Sequence, residues 1–267
     1  MTGCAPSRVK DIAHAIEQVA PLRWQESYDN AGLLVGDPEA TVTGVLLCTD
    51  VTRAIIDEAV AAGCNLVVSH HPLIFHGLKK LAGRDEVERM VAHAIKHDIN
   101  IYSAHTNMDN APTGVSRHMA DKLGMTDVEV LEARDDEGIT IGSGVIGTVT
   151  PMAVLDLLRH VKQTFDVGAV RYSGDTDAMV SRVALCGGAG SFLIDHARRA
   201  GAQVYITGDV KYHEFFKADE GIVIADIGHY ESEHFTTELF ADIIAGARPD
   251  LPVRLARTQR NPVNYLI

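Results

Sequence analysis

Two adjacent histidines, His70 and His71, end the apolar run NLVVS within the segment SHHPLIF. Further along, AHTNMD carries His105 and Asp109, and GHYESE carries His229 and Glu233. Each is a histidine followed four residues later by a carboxylate, and each follows an apolar, strand-like run, INIYSA or GIVIAD. Neutral imidazole suits zinc, iron, nickel or copper, and added carboxylates widen the choice to manganese. Adjacent histidines on an extended segment point to opposite sides, because side chains along a strand alternate. They are therefore better placed to serve one ion each than to chelate a single ion, which favours a dinuclear centre. Glu233 or Asp109 could bridge the two ions.

The elements that must position these residues come as two copies of one unit. VTGVLLCTDVTRAIIDEAVAAGCNLVVSHH is echoed by VSRVALCGGAGSFLIDHARRAGAQVYITGD, anchored on Cys48 and Cys186, 138 residues apart. Asp57 falls on Asp195, Gly63 on Gly201, Ser69 on Thr207 and His70 on Gly208 without a gap. A further gap of 14 residues aligns His105 with His229. So long a period implies duplicated lobes and not a solenoid. Near-continuous apolar strands alternating with helices imply parallel sheets covered on both faces, and ligands in such sheets bind beyond the carboxyl ends of the strands. The expectation is two similar α/β lobes from an internal duplication, residues 1–125 and 126–267.

Within that frame, the spacing predicts helices over Ser7–Val19, Thr52–Ala62, Asp85–Lys96 and Thr113–Leu123. Strands are expected at Gly32–Val35, GVLLC, NLVVS and NIYSA. After Gly124 the pattern changes to short strands with charged turns. Thr150 and Pro151 then read as the cap and first residue of a helix. Strands follow at VALC, around Ile206 and at VIADI, with helices from Lys211 and from about Ser232. PVRLA and VNYLI are candidate edge strands returning to the first lobe.

Composition narrows the function classes. The chain has 267 residues, 46% hydrophobic and 22% charged, as in a soluble globular protein of one or two domains. A formal net charge of −12 argues against a general nucleic-acid surface. It leaves room for a small anionic substrate, since bound metal supplies its own positive charge. No apolar run spans a bilayer, and the N-terminus lacks a signal-peptide layout, so a cytoplasmic location is expected. Cys4, Cys48, Cys64 and Cys186 show no metal or disulfide spacing. Cys48 and Cys186, at equivalent strand positions, are expected to be small core residues.

Other candidates carry weaker signals. His105 reads as a partner of the ligands or a proton shuttle, with a structural hydrogen bond as the alternative. Asp209, His213 and Glu214 in TGDVKYHE could orient ligands or substrate, or cap the adjoining helix. GGAGS, Gly187–Ser191, could hold a phosphate on its amides, but it fits neither the Rossmann nor the P-loop spacing. A tight turn is the better reading.

SHHPLIF, AHTNMD, TGDVKYHE and GHYESE, with YDNAGLLVG near the front, resemble the Nif-three-like dinuclear metal-centre proteins, often labelled GTP cyclohydrolase 1 type 2 homologues. The resemblance covers nearly the whole chain, without the extra central domain of some members. It implies a two-metal site in the cleft between two α/β lobes, and a toroidal homohexamer. By motif position it implies His70, His71, Asp109, His229 and Glu233 as the ligands of two divalent ions (zinc, iron or manganese). Tyr28 stands where the family usually has Trp, and Ala31 where Val is common.

Two neighbouring ions favour hydrolysis of a phosphoester, amide or ring C–N bond, here of a small, nucleotide-like substrate. Opening a GTP purine ring would need attack at C8 and a proton for the leaving nitrogen, which His105 or His213 could supply as catalytic acid. The cyclohydrolase label itself rests on family naming alone. Two other classes fit the same residues: a metal-binding or trafficking protein without turnover, and an oligomeric interaction scaffold.

Overall fold

The structure is a computed structural model and describes residues 6–266. Cys4 lies outside them. The chain forms two compact units. One holds the residues up to Met108 together with Phe235–Arg260, and the other holds Asp109–His234 with the segment from Asn261. The lobes anticipated from the sequence meet at residue 125. Here the stretch from Asp109 to Gly124 lies with the second unit, and residues 235–260 lie with the first.

The first unit is built on strands β1 (Gly32–Val35), β2 (Val45–Cys48), β3 (Leu66–Ser69), β4 (Asn100–Ser103) and β11 (Val253–Leu255), in the order β1-β4-β3-β2-β11. All pairings are parallel except that of β1 with β4. Strands β2, β3 and β4 are buried at every position, as their unbroken apolar runs require. Helices α1 (Val9–Val19), α2 (Arg53–Ala61), α3 (Glu86–Lys96) and α9 (Thr236–Ala247) and the short α4 (Thr106–Asp109) accompany the sheet. Thr52 caps α2 by accepting from the Ile55 amide, and Asp85 caps α3 by accepting from that of Glu88. Leu46, Ile55, Val67, Ala94 and Ile101 share one apolar core with Cys48.

The second unit has strands β5 (Thr126–Asp136), β6 (Ile139–Ala153), β7 (Arg171–Ser173), β8 (Met179–Leu185), β9 (Val204–Thr207) and β10 (Val223–Asp226), in the order β5-β6-β8-β9-β10-β7. Its helices are α5 (Val115–Lys122), α6 (Val154–Thr164), α7 (Ile194–Arg199) and α8 (His229–Glu233). Strands β8, β9 and β10 are parallel, and β7 pairs antiparallel with β10. Cys186 packs with Ala184, Leu193, Tyr205 and Ile224. Both Cys48 and Cys186 are thus buried core residues. No helix among the described residues is long and apolar enough to cross a membrane.

Four stretches differ from the sequence expectation. The region after Gly124 is one long hairpin, turning at Glu137 and Gly138, both with positive φ. Such a two-residue turn matches the twist of the strands, and the charges that suggested turns line the exposed edge strand β5. Thr150 and Pro151 do not open a helix. They lie in β6 where its pairing with β8 shifts register, a bulge that tolerates a residue without an N–H, and α6 starts only at Val154. The segment from Lys211 is a 3-10 helix (Tyr212–Glu220), and the end of the chain splits: PVRLA supplies β11, while Val263–Leu266 form no strand.

Candidate metal centre

In the first unit the β2–β3 ladder runs past the named strands, with the amides of His70 and His71 donating to the carbonyls of Cys48 and Thr49. The backbone bends at the two histidines, so strict alternation does not hold: His70 is fully buried and His71 partly exposed, yet both rings turn into one cluster. β4 ends beside them, and His105 comes just after it. The three rings cluster, with centroids 4.9 Å apart for His70 and His71, 5.3 Å for His70 and His105, and 5.4 Å for His71 and His105. Each offers a ligand atom within 4.8 Å of the others, so the group could hold a cation.

An oxygen acceptor fixes each ring. His70 Nδ1 lies 3.0 Å from the Ala104 carbonyl, which can only accept, so Nδ1 carries the hydrogen. His71 Nδ1 lies 2.8 Å from Asp50 Oδ1, and His105 Nδ1 lies 2.8 Å from Asp29 Oδ1. Ligating histidines are oriented in this way by an acceptor on the other ring nitrogen, which leaves Nε2 to face the metal. The Asp29 side chain is fully buried. Burial alone would raise its pKa, but donation from His105 and Thr106 and from the Asn30 amide outweighs it and holds the carboxyl well below the usual carboxylate range.

The second unit supplies a different set. β10 leads through Ile227 and Gly228 into α8, whose first and last residues are His229 and Glu233. One helical turn brings His229 Nε2 to 3.0 Å from Glu233 Oε2, while His229 Nδ1 is held 2.8 Å from Asp209 Oδ2. Asp209 therefore orients a histidine, one of the two roles its position suggested. Asp109, at the end of α4, and the buried Glu233 offer carboxylate oxygens within 4.8 Å of one another. Their charge reaches the Cys186 thiol, whose pKa is pushed up to about 12, first by burial and then by Asp109 and Glu233. Two carboxylates this close repel unless a proton or a cation lies between them, and imidazole nitrogens with carboxylates are the donor set of zinc, iron or manganese.

GGAGS is not an anion cradle. The Gly187 amide donates to Ser116 Oγ, that of Gly188 to Ser232 Oγ and that of Gly190 to Thr207 Oγ1, so three of its amides are already used. Its purpose is close approach. Gly188 has φ +60°, and a Cβ there would lie 2.1 Å from Glu233 Oε1. His213 sits elsewhere in this unit, exposed on the 3-10 helix, stacked on Phe216 and in a T-shaped contact with Tyr212. Glu214 closes the start of that helix, accepting from the Lys211 amide at 2.9 Å.

Two residues escaped the sequence reading. Asp50 lies two residues beyond β2, at a strand end, where the rule that located the histidines would also have found it. Asp29 lies in YDNAGLLVG, 76 residues before its partner, and nothing local marks it.

The sequence profile of Duf34/NIF3 (NGG1p interacting factor 3) matches residues 7–262. A protein of Clostridium acetobutylicum named "GTP cyclohydrolase 1 type 2 homolog" is 32% identical over 264 residues, 97% of this chain and 98% of its own. A Streptomyces coelicolor protein of the same name is 34% identical over 266 residues, 96% and 93% of the two chains. Among solved structures, Staphylococcus aureus protein SA1388 superposes with a TM-score of 0.89 at 26% identity, covering 98% of this chain and all of its own (100%). The strand-end histidines, the His-x3-carboxylate helix and the whole-length match agree, and the chain belongs to the Duf34/NIF3 family.

Proposed function

We propose that this protein is a metal-dependent hydrolase of a small nucleotide-like or phosphoester substrate, with a dinuclear centre held by His70, His71, Asp109, His229 and Glu233. The observation that carries this reading is the common orientation of the imidazoles. Every one of His70, His71, His105 and His229 has Nδ1 engaged by an oxygen acceptor, so every one presents Nε2. Such uniform second-atom anchoring is characteristic of metal ligands. Bound divalent ions would supply Lewis acidity toward a hydrolytic water and a substrate oxygen.

The chain's own residues do the rest. His70, anchored to a neutral carbonyl in a fully buried position, fixes the inner edge of the cluster. Asp50, Asp29 and Asp209 hold the other rings against rotation. Of the two histidines expected to move protons, His105 is favoured: its ring lies beside His70 and His71, whereas His213 packs on exposed Phe216. The relatives' name points to GTP as the first substrate to try, and a homohexamer is the assembly we expect.

The test is to load metal-free protein with zinc, iron or manganese, count bound ions by elemental analysis, and assay a nucleotide and phosphoester panel that includes GTP. Two ions per chain and metal-dependent turnover are expected. Glu233→Ala should abolish turnover with the fold retained. No metal-dependent turnover across the panel would sink the reading for those substrates. Unfolding of Glu233→Ala would favour metals that only stabilise the fold.

A further inference from the structure

The Asp29 carboxylate takes four donors, divided between its two oxygens. Oδ1 accepts from the Asn30 amide at 2.7 Å and from His105 Nδ1 at 2.8 Å. Oδ2 accepts from the Thr106 amide at 3.0 Å and from the Thr106 hydroxyl. A fully buried carboxylate is costly unless its lone pairs are filled, and here two backbone amides and a hydroxyl fill them, with His105 as the only ring. The loop that carries Asp29 is itself fastened. The Glu26 amide donates to Thr106 Oγ1, Ala31 donates to Gln25 Oε1, and Asn30 Nδ2 donates to the Ile74 carbonyl in the segment after His71. The carboxylate is thus fixed before it meets the imidazole.

We propose that Asp29 is a positioning residue: by accepting the Nδ1 proton of His105 it locks that ring as the Nδ1–H tautomer and aims Nε2 at His70 and His71. It extends the reading of His105 as the proton-moving group, and its own test needs neither metal nor turnover. A bare Nε2 can take a proton or hold one for transfer, whereas the opposite tautomer would present an N–H to the cluster. An amide in place of the carboxylate reverses this. The Thr106 amide cannot turn away from an NH2 group, so the Asn oxygen is expected to face Thr106. Its NH2 then faces His105, where the imidazole can accept by moving its proton to Nε2.

The experiment is a long-range 1H–15N spectrum of uniformly labelled, metal-free protein at about pH 8, above the ordinary imidazole range. His105 is identified by the signals lost in His105→Gln. Wild type should show His105 as Nδ1–H, folded Asp29→Asn should lose that signature, and Thr106→Val, which spares the Asp29–His105 bond, should keep it. A wild-type ring protonated at Nε2 alone overturns the proposal. So does an unchanged ring in folded Asp29→Asn, or its loss in Thr106→Val. Should Asp29→Asn fail to fold, the wild-type and Thr106→Val spectra still decide. A protein with this tautomer and no hydrolysis keeps the inference and loses the function proposed above; the reverse result does the opposite.

Discussion

The two units share one strand register and use it for different chemistry. In the first, Val45 pairs with Leu66 and Leu66 with Asn100; in the second, Val183 pairs with Val204 and Val204 with Val223. Each trio of parallel strands has an antiparallel strand beyond its third member, β1 in one and β7 in the other. The ends of the strands differ. After β2 and β3 stand Asp50 and the histidine pair, while after β8 and β9 stand Gly188 and Asp209. One unit carries its imidazoles on the strand ends and braces them with Asp29 and Asp50. The other carries its histidine and carboxylate on a helix and uses the strand ends for a brace, Asp209, and for clearance, Gly188. A shared scaffold fixes where chemistry can happen, and single residues at fixed places decide which part of it is supplied.

The sharpest way to break this comparison is to substitute the two equivalent positions alike. Gly188→Ala introduces a Cβ against Glu233 at a positive φ and should destabilise folding by about 2–4 kcal/mol. Asp50→Ala, at a half-exposed side chain, should change stability by less than about 0.5 kcal/mol. Urea melts of both proteins check it; equal losses would mean that the positions are not specialised. The braces come next. Asp50→Ala and Asp209→Ala should each weaken zinc binding by about 10–100-fold with the fold intact, read by competition with a chromophoric chelator. An effect in one unit only would assign the metal to that unit.

The smallest effect concerns the connection after the histidine pair. In the first unit this is a long irregular segment, held where buried Glu88 accepts from the amides of Ala82 and Arg84 and from the Arg84 guanidinium. The Arg84 side-chain bond, foremost, holds the Glu88 pKa down to about 2. A depressed carboxylate contributes stability above its unfolded value and loses it as the pH falls through the folded one. Wild type should therefore lose stability from about pH 4.5 to pH 2 more steeply than Glu88→Gln. Parallel acid titrations that superimpose would remove Glu88 as the clasp of this segment.

Much of this was legible in the sequence because strand ends are legible. Unbroken apolar runs such as LVVS and VYIT mark buried parallel strands, and the residues immediately after them include His70 and His71 in one unit and Asp209 in the other. The offset between Cys48 and Cys186 likewise gave the register that β2 and β3 share with β8 and β9. The illegible part depends on contacts between distant segments. Asp29 becomes a brace only once β4 brings His105 to it. Pro151 passes for a helix start until a bulge in β6 accommodates it. GGAGS looks like a phosphate loop until the hydroxyls of Ser116, Thr207 and Ser232 take its amides.

The late position of α9 and β11 has a consequence for synthesis. β11 lies beside β2, its Val253 opposite Val45, and α9 packs against α1. A chain emerging from the ribosome has made β2, β3 and β4 long before these last pieces exist, so the edge of β2 stays open while the intervening unit folds. Open strand edges are where partly made chains associate wrongly. The unit that begins first thus completes its sheet only after the intervening stretch of the second has been made.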